Sequence, residues 1–179
     1  RHFSHMYGLF PGNVLSTAKT PELIDPIKAV LEQRGDGGTG FSRAWKMALW
    51  ARLSDGDRAN SIYKGYLQEQ CYLSLFAKCY TPLQVDGTLG VTAAISEMLV
   101  QSHEDVIQLL PALPKEWNSG KFYGVCTRGA FELNLEWENG VTKKVEILSK
   151  AGKNCIISAN NTVKVFSNGN QIQIKSKNG

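Results

Sequence analysis

Apolar residues recur at helical spacing up to about residue 102 and alternate with polar ones beyond about residue 105, so the chain changes structural class near its middle. In the first half, Thr20-Pro21-Glu22 has the form of a helix start: a hydroxyl cap, proline at the first position and an early acid. Leu23, Ile27, Val30 and Leu31 form the stripe that helix would bury, and Gly35 ends it. A second helix is expected over Ser42 to Leu53, with Trp45, Leu49 and Leu53 along one side, and Met47 and Trp50 widen its apolar surface enough to bury most of it. Asp57 is expected to cap a third helix running to about Tyr72, and Val91 to Gln101 forms a fourth whose Ile95, Met98 and Leu99 face inward.

After His103 the period shortens to two. Phe131, Leu133, Leu135 and Trp137 point one way while Glu132, Asn134, Glu136 and Glu138 point the other, the mark of a half-buried strand. Asn139-Gly140 suits a tight hairpin turn, with Val145 and Ile147 on the return strand, because both central positions of a type I′ turn need positive φ. Asn168-Gly169 repeats the device between expected strands Val163 to Phe166 and Ile172 to Ile174. The expected class is therefore α+β, with residues 1–104 helical and residues 105–179 a small antiparallel β domain resembling a sandwich.

Composition narrows the function classes. A hydrophobic content of 42% over 179 residues supports a real core, and the net charge of +4 comes largely from lysines scattered through the last third, a solvated face. A nucleic-acid surface would cluster arginines with stacking aromatics, but the four tryptophans sit in apolar patterns away from those lysines. Cys71, Cys79, Cys126 and Cys155 lack C-x-x-C spacing, which argues against zinc and leaves free buried thiols as the simplest expectation, with two disulfides the alternative in an oxidising compartment. No apolar run is long enough to span a membrane, and the opening Arg1-His2-Phe3-Ser4-His5 is not a signal peptide, so any export signal is expected upstream.

Three segments carry polar and glycine residues that helix packing does not require. The first groups Arg1, His2, Ser4, His5 and Tyr7 before a Pro-Gly turn; arginine and histidine together can grip sugar hydroxyls, or a histidine can satisfy a buried backbone group. In the second, Gly35-Asp36-Gly37-Gly38-Thr39-Gly40 has neither the preceding strand nor the Lys-Ser/Thr ending of a phosphate loop, so it is a helix-to-helix turn or a ligand rim. The third sets Asp86 in a loop before a helix, where a carboxylate can serve as a base toward water or simply as a cap.

At these segments the chain resembles glycoside hydrolase family 95. The resemblance is carried in order by Arg1-His2-Phe3-Ser4-His5-Met6-Tyr7-Gly8-Leu9-Phe10-Pro11-Gly12, by Arg34-Gly35-Asp36-Gly37-Gly38-Thr39-Gly40 and by Gln84-Val85-Asp86-Gly87. Ala44-Trp45-Lys46, Leu49-Trp50-Ala51-Arg52-Leu53 and Leu109-Leu110-Pro111-Ala112-Leu113-Pro114 before Trp117 are also similar, so the likeness extends over roughly residues 1 to 137. The chain departs from the family pattern at Cys79-Tyr80-Thr81-Pro82, where members carry His-Pro-Pro, at Thr88, where they carry Asn, and at Phe41, where Trp is commoner.

The resemblance implies the last helices of an (α/α)6 barrel followed by a β domain, from an inverting hydrolase of terminal α-L-fucosyl residues of the 1,2-linked type. It makes Asp86 the carboxylate that activates water, gives Arg1 and His2 contacts to the sugar, and sets His5 and Asp36 behind them as supports. Inversion needs a second carboxyl roughly 6.5–9.5 Å away to protonate the leaving oxygen. In the family that glutamic acid lies upstream of the arginine-histidine motif, so the expected partners are a fucosylated glycan and the missing N-terminal part of the same enzyme, with no nucleic acid, metal or cofactor. Two alternatives stay open: an α-L-galactosidase of the same family, and a carbohydrate-binding remnant. The whole enzyme is expected to be exported, and an isolated piece of its helical ring to expose Leu49, Trp50 or Ile95.

Overall fold

A computed structural model describes residues 2–167 and 169–173. Arg1, Asn168 of the second hairpin turn and Ile174 of the last expected strand lie outside the described residues. Helices α1 (Ile24–Arg34), α2 (Gly40–Arg52), α3 (Gly56–Glu69) and α4 (Val85–Leu99) precede strands β1 (Val100–Gln101), β2 (Ile107–Leu109), β3 (Gly120–Thr127), β4 (Phe131–Glu138), β5 (Val141–Ser149), β6 (Ile157–Ser158), β7 (Phe166–Ser167) and β8 (Asn170–Gln171).

The central element is α2. Nearly all of its residues are buried, including Ala44, Met47, Ala48, Leu49 and Ala51, because α3, α4 and the N-terminal segment all pack around it. Its contact with α4 is close because the facing residues are small: a Cβ on Gly87 would stand 2.8 Å from the Phe41 backbone nitrogen, and one on Gly90 would stand 3.1 Å from the Ala44 Cβ. This explains why α4 begins at Val85 and not at Val91 as the sequence suggests: Gly87 and Gly90 look like loop residues but are the helix positions that let α2 approach. Asp86 therefore sits in the first turn of α4, not in a loop before it.

Two other helix starts differ from expectation. Thr20 does not cap α1: its Oγ1 accepts from Ser16 N and donates to Ser16 O, a 3-10 turn (Pro21–Leu23) follows, and the helix proper begins at Ile24 with Pro26 still in the first turn, where no N–H is needed. Ile27 and Leu31 are buried, Leu23 is exposed, and Gly35 ends the helix at φ 65°. Asp55, not Asp57, caps α3, accepting from Arg58 N at 2.9 Å, while Asp57 accepts from Lys115 N at 2.9 Å.

The second half is built on the β3-β4-β5 meander, whose central strand buries Phe131, Leu133, Leu135 and Trp137 on one face as its alternation predicts. Asn139 (φ 54°) and Gly140 (φ 73°) form the turn into β5. The antiparallel expectation fails at one place, since β2 pairs parallel with β6 in the sheet β1-β2-β6. The strand expected from Val163 is also shorter among the described residues: β7 covers Phe166–Ser167 and pairs with Asn170–Gln171, with Ile172 N donating to Val165 O at 2.9 Å just outside it.

The halves interlock at the lower end of α2. Gln101 Nε2 donates to Ala51 O at 2.8 Å and Glu97 O at 2.9 Å, and a Cβ on Gly56 would meet the Ala112 carbonyl oxygen at 2.1 Å. Leu49 and Trp50, expected to be left uncovered, are 0% and 3% exposed, and Ile95 is half-buried against the same core. A run of exposed apolar residues lies instead on the α3–α4 connection and the start of α4, at Leu73, Leu75, Tyr80, Leu83, Val85 and Leu89, and others, such as Val14 and Leu148, are scattered elsewhere.

Candidate functional site

The three polar segments of the sequence meet around the N-terminal ends of α2 and α4. Phe41, the second residue of α2, is their common neighbour. Its ring centroid lies 6.1 Å from that of His2 and 5.5 Å from that of Trp45, and its backbone N–H donates to Gln84 Oε1 at 3.0 Å. Gln84 immediately precedes α4, so one neutral hydrogen bond fastens the turn bearing Asp86 to the turn bearing Phe41. Asp86 is exposed, and its Oδ1 accepts from Gly87 N at 2.9 Å, which fixes the carboxylate and leaves its other oxygen free of any partner among the described residues. A carboxylate in the first helical turn also suits the positive end of the helix dipole.

His2 thus packs on the Phe41 ring while the turn bearing Asp86 is tied to the Phe41 backbone, and both side chains are exposed. His5 and Asp36 belong to a different cluster. The exposed His5 ring leans on Phe3, at 5.9 Å between centroids, and the buried Phe3 ring also carries the Arg34 guanidinium at 5.5 Å and the Lys46 ammonium at 5.4 Å. Asp36 is half-buried and paired with Arg58, Nε to Oδ2 at 2.9 Å. Burial lowers the pKa of Lys46, and Asp36 opposes that by favouring the charged form, while Arg43 and Arg34 add to the lowering. Lys46 Nζ donates to Gly37 O and Arg43 Nε to Gly38 O at 3.1 Å, so α2 holds the glycine-rich turn by its carbonyls. That turn therefore rests on cationic side chains through its carbonyls.

The N-terminal segment is held from below. Arg52 forks onto Glu97 of α4, Nε to Oε2 at 2.6 Å and Nη2 to Oε1 at 3.0 Å, and its Nη1 donates to Leu9 O and Gly12 O, each at 3.1 Å. Trp45 Nε1 donates to Phe10 O at 2.9 Å. The sequence shows Arg43, Lys46 and Arg52 on an otherwise apolar helix, the sign that buried charges with partners were to be found there; their partners were not legible. Gln84 was visible as a motif residue, but its bond to Phe41 was not.

Of the departures from the family pattern, Thr88 has a local explanation: its Oγ1 accepts from Ala77 N at 2.9 Å and donates to Gln84 O at 3.3 Å, so it ties the α3–α4 connection to α4. Tyr80 is 75% exposed with φ 58° on that connection. Cys71 is buried, Cys79 half-buried, and Cys126 and Cys155 exposed, so only one of the four thiols fits the buried expectation. Among the described residues no three His, Cys, Asp or Glu side chains gather in a metal-binding group, and no helix is long and apolar enough to cross a membrane.

Comparison with known proteins gives two family matches: residues 1–99 match the glycosyl hydrolase family 95 catalytic domain, and residues 101–179 match the glycoside hydrolase family 95 C-terminal domain. Alpha-L-fucosidase 2 of Arabidopsis thaliana is 39% identical over 151 residues, which is 78% of this chain and 18% of the relative. Proteins described as probable alpha-fucosidase A are 28% identical in Aspergillus niger, over 78% of this chain and 20% of theirs, and 28% identical in Aspergillus oryzae, over 92% and 26%. The chain therefore spans about a quarter or less of the length of these relatives.

Proposed function

The chain belongs to glycoside hydrolase family 95, and from that membership we propose that it forms the C-terminal part of an inverting hydrolase that removes terminal α-L-fucosyl residues, of the 1,2-linked type, from oligosaccharides or polysaccharides. The observation that supports this most is the Gln84–Phe41 bond, which ties the turn bearing Asp86 to the residue that His2 packs against. In this scheme residues 1–104 supply the last helices of an (α/α)6 barrel and residues 105–179 the β domain behind it.

Asp86 is the base. Its free oxygen takes a proton from the water that attacks the anomeric carbon, while Arg1 and His2 hold the sugar by its hydroxyls and the Phe41 face excludes bulk water. His5 and Asp36 act at one remove, through Phe3 and Lys46. The leaving oxygen is protonated by a carboxylic acid from the rest of the enzyme, because no Glu of this chain lies in the three segments. Two carboxyl groups and a water complete the reaction, so it needs no metal or cofactor. Acting on glycan polymers, the whole enzyme works outside the cytoplasm, in the periplasm or the extracellular space.

The test is turnover of aryl α-L-fucoside by the full-length enzyme, with aryl α-L-galactoside alongside. Preferential release from the fucoside supports the assignment. Faster release from the galactoside would move the substrate to the L-galactosides, which differ by one hydroxyl that a pocket excludes only modestly. No release from either would leave the chain as a binding remnant.

A further inference from the structure

We propose a second carbohydrate-binding site, distinct from the Asp86 site, in the cleft of about 370 Å³ where the lower end of α2 meets the β4–β5 turn. It would hold a stretch of neutral glycan chain while the terminal sugar is cleaved elsewhere, and to that extent it rests on the glycan hydrolase proposed above. The two sites lie at opposite ends of α2, whose 13 residues separate Phe41 from Ser54 by roughly 20 Å.

The ligand class follows from the lining. Ser54, Asn118, Asn139 and Asn160 present a hydroxyl and three carboxamides around a floor of proline, leucine and alanine from residues 110–114. Each carboxamide is held by one contact. Asn160 Nδ2 donates to Gly140 O at 2.8 Å, and Asn118 Nδ2 reaches Asn139 Oδ1 at 3.4 Å. Asn160 Oδ1, Asn139 Nδ2 and the Ser54 hydroxyl keep no partner among the described residues, which leaves both donors and acceptors in fixed places.

Among the described residues the lining holds one ammonium, that of Lys115, which is paired with Asp57 at 3.0 Å, and no carboxylate. Neutral donors and acceptors over an apolar floor suit the hydroxyls and C–H faces of a neutral sugar, and the volume is in the range of a small-ligand site. The backbone is also unusual here. Three of the seven described non-glycine residues at positive φ, Ser54 (60°), Leu110 (54°) and Asn139 (54°), line this one cleft. A leucine there is a genuine outlier, of the kind that gathers at ligand sites.

The same backbone supplies a benign variant. Glycine adopts positive φ freely, so Ser54→Gly with Asn139→Gly removes two polar groups while easing the local conformation. Electrophoresis of the full-length enzyme through gels containing soluble xyloglucan, fucosylated or enzymatically defucosylated, needs no catalysis. The wild type is expected to be retarded in both, with free xyloglucan oligosaccharides restoring its mobility. The double variant should lose at least half of the retardation and keep its aryl α-L-fucoside kcat/KM within about twofold. Equal retardation of the two proteins, or retardation of neither, would overturn the second site. A wild type that is retarded yet never turns over aryl fucoside would leave this site standing and sink the hydrolase instead.

Discussion

The two ends of α2 are built on opposite principles. Around Arg52, near its lower end, the contacts are closed: the buried guanidinium has a fork onto Glu97, two carbonyls of the N-terminal segment, and the Phe10 ring 5.2 Å beneath it. At its upper end Phe41 is half-covered, His2 and Asp86 are open to solvent, and one glutamine bond joins the two helices. The open end can afford exposed chemistry because the closed end fixes where the N-terminal segment and α4 sit. Positioning of this kind belongs on packed elements, with the reactive groups at their tips.

Breaking the closed end should have the largest effect. Arg52→Ala strands Glu97 and two carbonyls, and the expected loss is about 3–5 kcal/mol of stability, read as a large fall in the thermal midpoint of the full-length enzyme. Arg52→Lys keeps the charge but not the fork and should recover only part of it. If Arg52→Ala melts with the wild type, the lower end is not what holds the segment.

His103 sharpens the comparison with pH. It lies at the lower end, buried, with Nδ1 unpartnered and its carbonyl accepting from Asn13 Nδ2 at 3.0 Å. Burial first, then the Arg52 charge, lowers its pKa from 6.5 to about 4. Between those values the unfolded chain binds the proton and the folded chain does not. Stability is therefore full above about pH 6.5 and falls as the pH drops toward 4, by on the order of 3 kcal/mol at most. Denaturant titrations from pH 7 to pH 4 should show that slope, flattened in His103→Asn; an equal slope in both would remove His103 from the account.

The smallest change tests the open end. A Cβ on Gly87 meets backbone at Phe41, so Gly87→Ala pushes α4 from α2 at the Asp86 turn, at a cost of about 1–3 kcal/mol. Turnover of aryl fucoside should fall by a larger factor than the thermal midpoint suggests. Wild-type kcat with a lowered midpoint would mean that the α2–α4 spacing does not place Asp86.

What the sequence reveals follows the same division. Alternation along β4 and the Asn139-Gly140 turn are local, so the hairpin was legible to the residue, as was the helical stripe of Ile27 and Leu31. The start of α4 was not, because Gly87 and Gly90 serve a neighbour more than 40 residues away and look locally like a turn. Nor was the cover over Leu49 and Trp50, which belong to a core with Phe3, Leu9 and Ile62. Three motifs single out the candidate residues, yet only the folded chain parts them: His2 and the turn bearing Asp86 join at Phe41, while His5 and Lys46 meet at Phe3.

Chemical rescue decides whether Asp86 activates water. Asp86→Ala in the full-length enzyme should lose at least a hundredfold in kcat on aryl α-L-fucoside, and azide, a nucleophile that needs no base, should restore turnover and yield β-L-fucosyl azide of inverted configuration. Wild-type turnover in the variant, or a slow variant whose rate azide leaves unchanged, would contradict that role.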